Sequence, residues 1–399
     1  MTATTILRNV RPLGGTPTDL LIHDGRFALT NPEPEGPTES IDGAGLLAIP
    51  GLVEAHTHLD KNLIGMPWYR NEIGPRRIDR IEADRREKQR LGIDPRRQSA
   101  RQVMQTLALG TTVIRSHVDV DTEIGTANVA GVLATREALR ESVDIQIVAF
   151  PQSGMLIRPG TVALMEEALR MGADIVGGID PAGIDRDPKS HLDTIFGLAE
   201  RFGKPVDIHL HEPGELGAFC LELIIERTRA LGMEGRVLVS HAYCLGTIEP
   251  AAHDALAAAL AKARISVMTA GPSGRPAPSV KRLTEAGVTI CGGSDGPRGT
   301  WEPYGTGDML MRAMMIGQRN GFTRDDDLAL ALETCTTFGA RAIGLDRYGL
   351  APGCEADLVL VDAETVAEAV AAPPVRRLVM KRGRVVARDG LALQPGPQA

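Results

Sequence analysis

The sequence predicts a (β/α)8 barrel joined to a small β-sandwich built from both chain ends. Three observations predict it. From Ile49 onward, short β-rich runs alternate with longer helical stretches eight times, the two ends carry strand-and-turn signatures instead, and the histidines collect where apolar runs stop.

The eight runs lie at about 49–54, 111–117, 144–150, 174–179, 205–211, 236–241, 264–270 and 287–294. Between them, Val162 to Met171, His191 to Phe202 and Glu249 to Ala263 are rich in Ala, Leu, Glu and Arg at helical spacing. This count fits a closed barrel better than an open sheet, and in a barrel the chemistry lies where the strands end. Residues 49–347 are assigned to it. Residues 1–48 and 348–399 carry β-rich segments such as Thr5 to Val10, Leu20 to Arg26, Ala356 to Asp362 and Leu378 to Val386, with Gly at the turns. They are assigned to the sandwich, whose role is read as structural.

The stretch from Asn62 to about Asp94 is long for a link between a strand and its helix. It reads either as a lid over the strand ends or as a surface excursion with Trp68 packed on the rim. Within it, the Arg-rich segment from Arg76 to Arg101 interleaves Asp79, Glu82, Asp84 and Glu87, so a solvated helix is expected rather than a basic patch.

With 399 residues, 43% of them hydrophobic and 24% charged, the chain can bury a large core. A net charge of −7 gives no reason to expect nucleic acid, which needs a concentrated basic face. Five widely spaced cysteines (Cys220, Cys244, Cys291, Cys335 and Cys354) contain no Cys-x-x-Cys pair, which suits reduced thiols in the cytoplasm. No secretion signal or membrane-spanning run is read, so neither export nor membrane insertion is expected. A homo-oligomer is compatible with all of this.

The stretch Ala55-His56-Thr57-His58-Leu59-Asp60-Lys61 follows the first apolar run. Strand side chains repeat with period two, so His56 and His58 project to one side and can chelate. The complement appears downstream: Asp207-Ile208-His209-Leu210-His211-Glu212, Val239-Ser240-His241 and Gly293-Ser294-Asp295 each close another run. Five of the nine histidines sit at these ends, which points to a metal-dependent site rather than scattered polar residues.

With those residues placed, the chain resembles the amidohydrolase superfamily, in the branch of cytosine deaminase and N-isopropylammelide isopropylamidohydrolase. The resemblance extends through Pro50 to Lys61, Ser116 to Asp121, Ala149 to Gly154, Gly177 to Ala182 and Trp301 to Met309. It implies a hydrolase that cleaves an exocyclic C–N bond of a nitrogen heterocycle such as a pyrimidine or triazine, releasing ammonia or an alkylamine. It also implies one divalent ion, Zn or Fe(II), held by His56, His58, His209 and Asp295. Relatives with two ions add a lysine at the end of strand four, where this chain has Gly177-Gly178-Ile179-Asp180.

In this reading a bound ion lowers the pKa of its water to about 7. Asp295 orients that water and takes its proton, His241 stabilises developing charge, and Glu212 shuttles a proton to the ring and the departing amine. Gln152, His211 and Trp301 face the substrate. His211 is read as lining the pocket or supporting it, and His117 as hydrogen-bond support rather than a ligand. Gly296 stands where the cytosine-specific pattern has a second Asp, so cytosine is expected to be a poor substrate. The alternatives are hydrolysis of a cyclic amide or lactone, and a catalytically silent homologue used for binding.

Overall fold

The computed structural model describes residues 4–29 and 38–393. Eight parallel strands pair in sequence order: Leu52–Thr57, Thr111–Asp119, Asp144–Phe150, Ile175–Ile179, Val206–His209, Val237–Ser240, Ser266–Thr269 and Ile290–Gly292. A bridge from Thr57 to Asp295 joins the last strand to the first, closing the barrel. Each strand is near-continuously buried because helices cover the outside and side chains fill the inside. The helices expected around 162–171, 191–202 and 249–263 form as Thr161–Met171, Pro188–Phe202 and Pro250–Lys262. Local sequence explains their ends: Asp187 caps Ser190 N–H ahead of Pro188, and Gly203 stops that helix at φ +64°.

The first apolar run divides. Leu47–Pro50 pairs with Leu358–Val361 in the terminal sheet, and only Leu52–Thr57 belongs to the barrel. Gly51 is the crossing point. A Cβ there would stand 2.4 Å from the Thr112 hydroxyl, so only glycine lets the two layers approach this closely.

The terminal strands form one nine-stranded sheet, eight of them along a single hydrogen-bonded path and Thr38–Asp42 branching from Thr4–Pro12. The strand Thr4–Pro12 pairs first with Thr38–Asp42 and then with Leu47–Pro50, so it carries the chain from one part of the sheet to the other. Leu7, Ile22 and Phe27 from one part pack with Leu358, Leu378 and Met380 from the other, giving the two-layered core of a sandwich. At the boundary with the barrel, the fully buried Lys381 donates to Asp144, at the start of the third barrel strand, and to Asp357, at 2.7 and 2.6 Å.

The 62–94 segment holds a helix, Arg77–Arg90, that precedes the first barrel helix, Pro95–Ala108. It is not the solvated helix that its charge pattern suggests. Asp84 and Glu87 are buried, Lys88 is nearly so, and Arg77, Arg85 and Lys88 reach carboxylates at the ends of barrel strands. Trp68 is 71% exposed, so it is not packed on the rim; Arg298 lies over its ring at 5.6 Å.

The buried Lys381 generates a prediction. Lys381→Met leaves the buried Asp357 without its cation, while Asp144 keeps Arg382, and should destabilise the protein by about 3–5 kcal/mol in urea unfolding. An unchanged midpoint would show that the pair does not anchor the terminal sheet.

Candidate metal centre and active site

Because strand side chains alternate, the inward faces of the barrel stack in levels. Strand two contributes Arg115, His117 and Asp119 at three successive levels, strand five Asp207 and His209, and strand one Glu54 and His56. At the upper level, ligand atoms of His56, His209, His241 and Asp295 lie within 4.8 Å of one another. His58 joins them, its Nε2 3.3 Å from Asp295 Oδ1, against 3.5 Å for His56 Nε2. The structure thus gathers all four residues expected to hold a metal, together with His241.

Three imidazoles of the cluster are held uncharged. Burial, with the neighbouring imidazoles, holds His209 and His241 well below the usual histidine range, and burial with the Lys61 charge takes His58 down to about 4. Burial alone would raise Asp295, but the adjoining imidazoles of His56 and His58 outweigh it and hold the carboxyl well below its usual range. His56 Nε2, His58 Nδ1 and both ring nitrogens of His209 and His241 are buried without a hydrogen-bond partner. Buried imidazoles with orphaned nitrogens beside an ionised carboxylate are the donor set that a divalent ion requires.

A supporting layer lies beneath. His56 Nδ1 meets Ser240 Oγ at 2.9 Å, Ser240 Oγ donates to Asp207 Oδ1 at 2.9 Å, and Arg115 donates to Asp207 Oδ2 at 3.1 Å. His117 Nε2 lies 3.3 Å from the same Asp207, and its ring is 4.1 Å from that of His56. This orients His56 and fixes its tautomer. On strand one, Glu54 Oε1 accepts from His56 N–H and Ser294 N–H at 3.1 and 2.9 Å, tying the two ligand-bearing strands together.

His211 stacks on His241 with ring centroids 4.3 Å apart. Its Nδ1 is 3.0 Å from Asp180, whose carboxylate also accepts from Arg77 of the inserted helix at 2.5 Å. Glu212 is buried. Its Oε1 accepts from the N–H groups of Ala182 and Gly183 at 3.1 and 2.8 Å, and its Oε2 has no hydrogen-bond partner. Burial, reinforced by Asp180, pushes the Glu212 carboxyl up to about 8, so it holds its proton at neutral pH. Asp180, His241 and Asp295 all take positive φ (36°, 74° and 62°), a conformation costly for residues with side chains and concentrated here at alternate strand ends.

Gln152 is buried with its carbonyl taken by Lys61 Nζ at 2.8 Å, which leaves its amide Nε2 unpartnered. Lys61 also bonds Asp119, and Asp119 is shared with Lys88 from the inserted helix. The Trp301 indole N–H is likewise buried without a partner. A Cβ on Gly296 would meet nothing within 4 Å, so space is open beside Asp295.

The amidohydrolase family profile matches residues 39–387. The chain belongs to the amidohydrolase family. It is similar to the crystal structure of N-isopropylammelide isopropylaminohydrolase from Burkholderia multivorans, at 51% identity and a TM-score of 0.94, covering 98% of this chain and 100% of that one. It is 32% identical to N-isopropylammelide isopropyl amidohydrolase of Pseudomonas sp. strain ADP over 88% of each chain. A 5-methylcytosine deaminase structure from Klebsiella pneumoniae, liganded with 5-fluorocytosine, is similar at 28% identity and a TM-score of 0.83, covering 97% of each chain. The branch read from the sequence motifs is the branch these relatives occupy.

Several members of the site were missed by sequence reasoning. Asp207 and Ser240 could have been found, since Asp207 alternates with His209 on one strand and Ser240 directly precedes His241. Arg77 and Lys88 could not, because nothing local shows where the inserted helix lies. The Asp207 hub gives a direct test. Asp207→Asn should weaken divalent-metal retention about 10- to 100-fold in chelator competition. Wild-type retention would show that Asp207 is merely buried near the ligands.

Proposed function

We propose that this chain is a metal-dependent hydrolase that expels ammonia or an alkylamine from a ring carbon of a nitrogen heterocycle, with a single Zn or Fe(II) ion held by His56, His58, His209 and Asp295. The observation that carries the reading is the set of buried imidazoles with unpartnered nitrogens around the Asp295 carboxylate. The similarity to proteins named as amidohydrolases and deaminases of triazines and pyrimidines supports the substrate class. One ion rather than two fits strand four, which ends in Gly177, Gly178 and Ile179 and offers no lysine.

A divalent ion in this cluster would supply a Lewis acid and an activated water. Asp295 is placed to orient the attacking water and receive its proton. His241, with no other partner on either ring nitrogen, is free to stabilise charge that develops on the substrate. Gln152 offers a donor only, because Lys61 occupies its carbonyl, and so would select an acceptor atom on the ring. Trp301 adds a second free donor at the 301–309 segment.

For the proton that must reach the departing amine, Glu212 is the proposed carrier: its Oε1 is held by the Ala182 and Gly183 amides, while its Oε2 is buried without a partner and the carboxyl, pushed up to about 8, keeps its proton at neutral pH. His211 lies against His241 with its Nδ1 3.0 Å from Asp180, and lines the pocket beside it.

Three outcomes are expected. Glu212→Gln should lower kcat by about 10² or more with metal content unchanged. Wild-type turnover in that variant would show that another group carries the proton. Elemental analysis of active protein should find about one tightly held ion per chain, and chelation should abolish turnover; two ions, or turnover without any, would contradict the site. Finally, amine-release assays should favour larger or N-alkylated aminoheterocycles over cytosine by about tenfold or more, given the open space at Gly296. Cytosine outperforming them would show that Gly296 does not set substrate size.

A further inference from the structure

Helix Pro188–Phe202 buries a histidine that the metal cluster does not use. His191 is fully buried, and its Nδ1 lies 2.5 Å from Oδ2 of Asp185, which is buried as well. Ile179 N–H, at the end of the fourth strand, donates to His191 Nε2 at 3.4 Å. Because Nε2 accepts, the ring proton sits on Nδ1, and the imidazole donates to Asp185. A carboxylate taken out of water needs more donors than this one.

The others come from a different loop. Met155, Leu156 and Ile157, just past the third strand, donate three successive backbone N–H groups to Asp185 at 3.0, 3.0 and 3.3 Å. Burial alone would raise Asp185, but the His191 hydrogen bond and these amides outweigh it and hold the carboxyl below its usual range. The fit is close: Gly154 takes φ +96°, and a Cβ there would stand 3.0 Å from Asp185 Oδ1. Upstream, Gly154 N–H donates to Pro151 O at 2.9 Å, and Gln152 N–H to Phe150 O at 3.0 Å. The turn that carries Gln152 is therefore fixed at one end by the third strand and at the other by Asp185. Lys61 decides which atom of the Gln152 amide is free, whereas the turn decides where that amide stands.

The segment that supplies Asp185 also serves the far side of the site. Asp180 accepts from His211 N–H at 2.7 Å, and the amides of Ala182 and Gly183 hold Glu212. Ile184 N–H closes that turn on Asp180 O at 2.9 Å, so it stands without the Asp185 side chain.

We propose that Asp185, held by His191, is a positioning residue for Gln152: it sets where the Gln152 amide meets the heterocycle, and so sets affinity, without touching substrate or metal. The inference rests on the reading of Gln152 as a substrate contact, and it names the residues that make that contact possible.

A double-mutant cycle on the metal-loaded enzyme tests it, with an N-alkylaminotriazine as substrate and backbone hydrogen exchange as a second measurement. Asp185→Asn puts an NH2 where the carboxylate accepts, so it faces a backbone N–H whichever way it turns. It should raise KM about tenfold with kcat changed less than about threefold, and should speed exchange at 153–157 while the barrel strands keep their protection. Gln152→Ala should raise KM by a similar factor, and adding Asp185→Asn to it should raise KM no further. A residue that only stabilises the fold would add its effect in either background. His191→Asn, which keeps a donor toward Asp185, should stay near wild type, and His191→Leu should behave as Asp185→Asn does. If Asp185→Asn fails to fold or to hold metal, the two His191 variants carry the test by the same criteria. Additive effects in the double variant, or wild-type KM in Asp185→Asn and His191→Leu while Gln152→Ala raises it, would overturn the positioning role alone. Wild-type KM in Gln152→Ala would overturn the reading of Gln152, and the proposal with it.

Discussion

The seam between the first and eighth barrel strands is the constraint on which the site depends. Asp295 N–H donates to His56 O at 2.9 Å, His58 N–H donates to Asp295 O at 3.2 Å, and the Thr57 hydroxyl donates to that same carbonyl at 2.8 Å. The backbone bonds that close the barrel therefore also fix three of the proposed metal ligands relative to one another. Gly293 permits the approach, since a Cβ there would stand 2.6 Å from His56 Cβ. Glu54 reinforces it from below, its carboxyl pushed up to about 7 by burial while it accepts from both strands. The left-handed backbone at Asp295 is a local cost that this network offsets.

Away from the seam, charge is buried in pairs rather than singly. Arg115 with Asp207, Lys61 and Lys88 with Asp84 and Asp119, Arg77 with Asp180, and Arg376 with Asp308 each occupy a junction between elements. Such pairs add little net stability but punish misalignment severely, because separating one leaves an uncompensated buried charge. Arg376 shows the reach of the device. It links the terminal sheet to Asp308, the N-cap of helix Met309–Arg319, and Arg312 of that helix holds the carbonyl of Ser294 next to Asp295. The terminal sheet is thus connected to the site by a chain of contacts while contributing no side chain to its chemistry.

Much of this was legible in the sequence. Strand periodicity places His56 with His58 and His209 with His211, and the alternation of β-rich runs with helical stretches supplies the eight-strand count. What failed did so for identifiable reasons. The run at 49–54 looks continuous in hydropathy, and only the approach of Thr112 to Gly51 reveals that it serves two sheets. The charged helix Arg77–Arg90 has the composition of a solvated surface, and its burial depends on acceptors at Asp119, Asp121 and Asp180, distant in sequence and brought near only by the fold.

The central claim is that one ion sits where the seam brings His56, His58 and Asp295 against His209. Anomalous scattering from a crystal of the metal-loaded protein tests it most directly. The account predicts a single peak, about 2.0–2.2 Å from the nitrogens of those three histidines and an oxygen of Asp295. A second peak, or a peak displaced to the level of His117 and Asp207, would contradict it.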